Sequence, residues 1–414
     1  MVDPAQGTDG VLDVHCRAGR VFRVGKNLAP GRARVIDARG YLVLPGLIDA
    51  HCHLREPGRE DEETIESGAA AAAAGGFTTL LAMPNTDPCV DNGPLAAFVR
   101  ERGDHVAVTV LPIGAITRNR EGQELTEMVD LAEHGAVAFS DDGNYLADSR
   151  LMRKALAYAR ITGLPLIDHA EEPCLARGGV MNEGALSAVL GLPGIPSAAE
   201  EIAVFRDITL AALTGGKMHL AHLTCAGSVD LLRRAKKKRV PVTDEVTVHH
   251  LLLTEEAVRD YDTNAKVSPP LRTSADRNAL RRGVRDGTIE LIVTDHAPHG
   301  REEKETDFQA AAFGMIGLET ALPLLLSLVP DIPLARLVAG LTCGPARTFN
   351  LAGRGTLESG CRADITVIDP TARWVLTPDR VVSRSRNTPF LGRTLRGRVL
   401  YTVCGGRVVF GPGR

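Results

Sequence analysis

Imidazoles and carboxylates recur where apolar runs end in this 414-residue chain. "LVLPGLIDAH" closes on His51 with His53 just beyond it, "FTTLLAMPN" on Asn85, and "AVAFSDDG" on Asp141 and Asp142. "LPLIDHAE" carries His169, "KMHLAHLT" carries His222, and "ELIVTDHAPH" carries Asp295 and His299. Neutral imidazole and carboxylate oxygen are the usual ligands of a divalent transition ion such as zinc when thiolate is absent. The eight cysteines stand singly with no CxxC pair, so neither a thiolate zinc site nor a disulfide framework is expected.

Alternate residues of a strand share a face, so His51 and His53 can grip one ion together while Cys52 points into the wall as a small buried hydrophobe. The same parity puts His219 and His222 on opposite faces, and His222, nearer the strand end, is the better ligand. His296 is expected to face away from Asp295, and His249 and His250 in "VTVHHLLL" suit packing or capping as readily as function. Six ligands exceed one tetrahedral ion. A carboxylate from Asp141 or Asp142 bridging two ions about 3.5–4 Å apart would accommodate them all. Such a pair lowers the pKa of bound water and polarises a carbonyl, which points to hydrolysis. Asp295 stands where it can accept the water's proton and hand it to a leaving nitrogen.

These residues need a scaffold that brings distant strand ends together. From Leu42 to about Leu351, short apolar runs alternate with amphipathic stretches, several ending in glycine as helices do. Near-continuous apolar strands joined by helices mean a parallel sheet buried on both faces. Eight of them in about 300 residues match an α/β fold of the (β/α)8 TIM-barrel type, whose ligand-facing side chains project from strand C-termini. No glycine-rich phosphate loop follows the first strand. Residues 45–351 are assigned to this barrel. Segments 1–44 and 352–414 read as alternating strands, with a two-residue hairpin turn at Gly405-Gly406, and are expected to pair into one small β-sandwich domain. "VDPAQG" at the start reads as a turn with no strand ahead of it, so an opening strand of that domain is expected to be missing. The alanine run Ala69 to Ala74 reads as a helix packed closely on the barrel, and "RRAKKKR" (Arg233 to Arg239) as the last turn of an amphipathic helix. A formal net charge of −3 and 4% aromatic residues argue against nucleic-acid binding. The chain has no apolar run that would span a bilayer and its start is unlike a signal peptide, so no membrane role and a cytoplasmic location are expected.

The motifs "DAHCHLREPG", "MPNT", "FSDDG", "HLAHLT", "EVTVHHLLLT", "PPLR" and "TDHAPH", with "GTLESGCRADITVIDP" and "RNTPFLG" near the end, occur in the order and spacing of bacterial class I dihydroorotases. The chain resembles that family, part of the amidohydrolase superfamily, over nearly its whole length. The resemblance implies zinc-dependent interconversion of N-carbamoyl-L-aspartate and dihydroorotate in pyrimidine synthesis. It places one Zn2+ on His51, His53 and Asp295 and a second on His169 and His222, bridged by Asp142. Relatives of the hydantoinase type bridge with a carboxylated lysine, and "AFSDDG" has none. Arg55 would take the substrate carboxylate in bidentate fashion, assisted by Asn85 and His299, with backbone near Phe313 and Gly314 touching the ring. Ser268 stands before "PPLR" where the family usually has asparagine. The stretch "GREEKETDFQAAAFG" after His299 reads as a mobile lid. The resemblance also implies a homodimer and a possible complex with aspartate transcarbamoylase. A hydantoinase or allantoinase, or a non-catalytic scaffold for the transcarbamoylase, are the competing readings.

Overall fold

A computed structural model describes residues 1–412. Leu47–Cys52 is buried throughout and pairs in parallel with Phe77–Ala82, which pairs in turn with Thr109–Pro112. A second parallel sheet runs from Phe139–Ser140 through Leu166–Asp168, Met218–Leu220 and Val242–Thr247 to Leu291–Val293. Parallel bridges between Gly114 and Phe139 and between Cys52 and His296 join the two sheets on both sides. The molecule is thus α/β, with parallel strands in the chain order expected. Helices lie between the strands, and Ser197–Thr214 and Ser274–Asp286 each stop at a left-handed glycine, Gly215 and Gly287.

The alanine-rich segment is the helix Ile65–Gly75, started by a Thr64–Ser67 capping box. Alanines 69, 71, 72 and 73 are buried. Small side chains let the helix sit against neighbouring backbone: a Cβ on Gly75 would lie 2.1 Å from the Leu318 carbonyl oxygen. Gly75→Ala is therefore expected to destabilise the fold by about 1–3 kcal/mol, lowering the thermal midpoint by several degrees in a melting scan. An unchanged midpoint would show that this contact relaxes freely.

Leu42–Pro45, Ile365–Val375, Thr394–Cys404 and Arg407–Phe410 form an antiparallel sheet in the order first, second, third, fourth. The turn at Gly405 and Gly406 has φ of 54° and 77°, as a two-residue hairpin demands. The sheet is fastened to the alanine-rich helix where Thr402 Oγ1 donates to Ala73 O at 2.6 Å and Thr366 Oγ1 to Gly76 O at 2.5 Å. A separate hairpin, Asp13–Arg17 with Arg20–Gly25, touches this region through Arg20 and Arg362. At the start of the chain, Pro4–Gln6 is a 3-10 turn capped by Asp3, and Val2–Asp3 pairs with Thr8–Asp9. The turn is as expected. The short strand before it was not.

The basic run ends the helix Ala226–Lys237. Arg233 pairs with Asp230 and Asp286, and Lys236 with Asp244 and Glu290. Among the described residues no helix is long and apolar enough to cross a membrane.

Candidate metal centre at the strand ends

Asp142 is the hub of the histidine cluster. Its Oδ1 lies 3.4 Å from His51 Nε2, 3.6 Å from His222 Nε2 and 4.0 Å from His169 Nδ1, and its Oδ2 lies 3.6 Å from His53 Nε2. Asp295 Oδ1 is 3.2 Å from His53 Nε2 and 3.7 Å from His51 Nε2. His169 Nδ1 is 3.0 Å from His222 Nε2. Six residues from five strand ends thus share one small volume. The neighbouring Asp141 is turned to a different task, accepting from the Ile116 and Thr117 backbone and the Thr117 hydroxyl. His222 and Asp295 have positive φ, 30° and 46°. Non-glycine residues rarely adopt such a backbone, and it concentrates at functional sites.

The hydrogen bonding here asks for a cation. His53 Nδ1–H donates to Asn85 Oδ1 at 2.8 Å, and burial holds the ring neutral against the pull of Asp295. Its Nε2 lone pair therefore faces an Asp295 oxygen, acceptor against acceptor. His51 Nδ1–H donates to Glu245 Oε1 at 2.6 Å, and its buried Nε2 has no hydrogen-bond partner. Asp142 Oδ1 and His222 Nδ1 are likewise buried and unpartnered. Burial works against charge on His51, yet the carboxylates of Asp142 and Glu245 outweigh it and raise its pKa well above the ordinary value. Burial also opposes the Asp142 and Asp295 charges, but the surrounding imidazoles hold both carboxyls well below the usual range. A group that favours positive charge between ionised acids is a suitable seat for a divalent ion. Two ligand-like triads emerge, His51–His53–Asp295 and His51–Asp142–His222.

Glu245 escaped sequence reasoning. It sits in the strand Val242–Thr247, fully buried, with Oε1 on His51 and Oε2 3.0 Å from His219 Nε2, whose Nδ1 reaches Thr243 Oγ1 at 2.8 Å. Burial raises its pKa, but the His51 charge and the histidine hydrogen bonds win and pull it down to about 2. An acid in the middle of a buried strand was the available signal. Such a carboxylate fixes the tautomer and aim of its histidine. Glu245→Gln is expected to weaken metal binding by about 10–100-fold, measured by competition against a chromophoric chelator. Unchanged affinity would remove Glu245 from this role.

The remaining histidines of this region lie outside the six-residue cluster. His296 turns away, with Nε2 3.2 Å from Glu63 and Nδ1 accepting from Gly317 N. His250 is structural, its Nε2 donating to Pro269 O at 3.1 Å. His249 is buried with Nε2 unpartnered, and burial lowers its pKa to about 4 against the opposing Asp295 charge. Cys52 is a buried wall residue whose thiol donates to Leu81 O.

Around the cluster, Arg55 adopts a positive φ of 61°. Its Nε is 3.0 Å from Glu62 Oε2 and 3.1 Å from Pro298 O, and its Nη2 is 3.3 Å from His299 Nε2. It pairs with neither Glu56 nor Glu60; Glu56 is engaged with Arg102 and Ile65 N. His299 Nε2 donates to Phe313 O at 2.8 Å. Gly314 N donates to Lys266 O, and Gly314 O accepts from Lys304 and Asn387. The backbone expected to touch a substrate ring is therefore already partnered within the chain. Ser268, two residues after Lys266, is half-buried.

The expected lid is pinned from below. Lys304 is buried and donates Nζ to Ala312 O and Gly314 O, at 2.7 and 3.0 Å. Lys266 donates to Gln309 O and Ala311 O at 2.9 and 2.6 Å. Burial lowers both ammonium pKa values, to about 7 and about 8.

The fold is shared with solved structures. An L-hydantoinase (dihydropyrimidinase) from Arthrobacter aurescens superposes with a TM-score of 0.89 over 100% of this chain and 95% of that one, at 24% identity. A dihydropyrimidinase from Brevibacillus agri gives 0.85 over 99% and 93%, also at 24%. An amidohydrolase-family model matches residues 326–410, and a dihydro-orotase-like model matches residues 40–228. The matching family model and the full-length relatives make this chain an amidohydrolase. Within that class the chain belongs to the dihydroorotase family: it is 51% identical to the dihydroorotase of Pelotomaculum thermopropionicum over 99% of this chain and 96% of that protein, and 48% identical to the dihydroorotase of Pelobacter propionicus over 99% and 97%.

Proposed function

We propose that this chain is a dihydroorotase that interconverts N-carbamoyl-L-aspartate and dihydroorotate on two zinc ions. The observation that carries the reading is the convergence of His51, His53, His169 and His222 on the carboxylates of Asp142 and Asp295. In this reading the two parallel sheets, bridged on both sides, are the staves of one (β/α)8 barrel over residues 45–351. The segments before and after it make the small β-sandwich domain. A cytoplasmic homodimer, free or joined to aspartate transcarbamoylase, is the corresponding assembly.

His51, His53 and Asp295 would hold one ion and His169 and His222 the other, with Asp142 between them. When bound, such a pair supplies a Lewis acid for the scissile carbonyl and makes water acidic enough to attack near neutral pH. The chain's residues do the rest. Asp295, ionised across the physiological range, takes a proton from the attacking water on its carboxylate and returns it to the ring nitrogen as the carbon–nitrogen bond breaks. Asn85 holds His53 in one tautomer. Arg55, charged and largely withdrawn from water, meets the substrate carboxylate with the edge of its fork that Glu62 leaves free. His299 and the loop residues Ser268, Phe313 and Gly314 shape the wall around the ring.

The test is metal analysis with an assay on dihydroorotate and on hydantoin, using the purified full chain. About two zinc ions per chain and turnover of dihydroorotate are expected. Hydrolysis of hydantoin with none of dihydroorotate would overturn the assignment.

A further inference from the structure

A cleft lies toward the N-terminal ends of the parallel strands, away from the histidine cluster. Arg354 marks the place: Nη1 donates to Thr79 Oγ1 at 2.9 Å and Nη2 to Thr109 Oγ1 at 3.1 Å, near the starts of Phe77–Ala82 and Thr109–Pro112. Beside it, the turns of two hairpins and the loop after residue 351 line an open cleft of about 400 Å³. Small-molecule sites have this order of volume.

Four segments send a guanidinium to the lining: Arg20, Arg354, Arg362 and Arg407. One buried carboxylate, Asp364, answers them, pairing with Arg354 at 2.9 Å and Arg362 at 3.0 Å. Asp364 also accepts from Gly405 N at 2.7 Å, so its oxygens are fully engaged. Arg20 reaches only a backbone carbonyl, Gly360 O at 2.8 Å, and Arg407 has no ion-pair partner among the described residues. The chain as a whole carries a formal charge of −3, yet this cleft keeps an excess of positive charge.

The rest of the lining is small: glycines 19, 353 and 405, Ala18, Ala352 and Cys404, whose sulfur accepts from Arg362 Nη2 at 3.6 Å. Positive φ at Gly19 and Gly405, 75° and 54°, disfavours larger residues at both turns, and a Cβ on Gly19 would crowd Gly405 O at 3.2 Å. Arg20 and Arg407, beside the Asp364-paired Arg354 and Arg362, line this open polar space with guanidinium groups suited to the oxygens of a phosphoryl group. We propose that this cleft binds a small phosphorylated anion, either orthophosphate or the phosphoryl end of a nucleotide, at a site separate from the catalytic centre. The proposal does not depend on the substrate assignment above.

Calorimetric titration of the full-length, metal-loaded protein with orthophosphate and with ADP tests it. The exposed pair Arg20→Ala/Arg407→Ala is compared with the unaltered chain, and Arg407→Glu serves as a second variant should the pair fold poorly. Both variants are expected to keep the same turnover and metal content, so any binding at the metal centre is common to all. Affinity for the probe is expected to fall at least tenfold in the double variant and further in the charge reversal. Loss for both probes identifies the phosphoryl group alone as the ligand, and loss for ADP only identifies a nucleotide. Equal affinities in all three proteins, for both probes, would overturn the site.

Discussion

Asp295→Ala is expected to abolish turnover, lowering kcat by on the order of 10⁴-fold. The residue has two jobs that alanine cannot do. Its Oδ1 lies 3.2 Å from His53 Nε2 and 3.7 Å from His51 Nε2, where it would complete a ligand set. Its carboxyl is also held well below the usual range by the imidazoles around it, in spite of burial, so it stays ionised and ready to take a proton. Removing it costs the general base and loosens one ion. Asp295→Asn separates the two, since the amide keeps an oxygen ligand but accepts no proton. Steady-state kinetics with metal analysis on both variants provides the check, and a kcat within tenfold of the parent for either would end Asp295's claim to proton transfer.

Arg55→Met is expected to raise KM by about 10²–10³-fold with a smaller change in kcat. The guanidinium is mostly buried and faces Glu62 at 3.0 Å. Methionine keeps much of the length and loses the charge, so the substrate carboxylate is left without its partner. Glu62 then keeps only Arg59, at 2.9 Å, and His299, at 3.3 Å, and its less balanced charge repels the acid. Losing one member of a buried, charge-assisted pair costs about 2–5 kcal/mol, which sets the range. Adding Glu62→Gln should restore part of the affinity by removing the repulsion. A KM unchanged in Arg55→Met would assign the carboxylate to another residue.

Much of the architecture was legible because period and position carry physical meaning. His51 and His53 share a face by strand geometry, and the same rule turned His296 away; His219 and His222 do not part as it suggests, since both meet Glu245 and a positive φ past the strand end aims His222 into the cluster. Glycines 215 and 287 stop helices where a left-handed residue is needed. Residues whose importance comes only from a partner distant in sequence stayed hidden. Glu245 meets His51 across 194 positions, and nothing local distinguishes it from Asp244, which pairs with Lys236 on the outside of the sheet. The choice between Asp141 and Asp142 was equally beyond local reasoning, since either could face the rim. The polar stretch after His299 looked loose because its composition is hydrophilic. What holds it, the amines of Lys266 and Lys304 bonded to its carbonyls, comes partly from another segment.

The antiparallel sheet imposes an order on synthesis. Leu42–Pro45 pairs with Ile365–Val375, so its register partner is made more than 300 residues later. At about 5–20 residues per second on the ribosome, the first strand waits roughly 15–60 s before that partner emerges. During that interval an apolar edge stands open beside the nascent alanine-rich helix, which also lacks the threonines that later fasten the sheet to it. A nascent chain stalled before residue 365 therefore presents the surface that a holding chaperone recognises, and the final eighth of translation is what closes it.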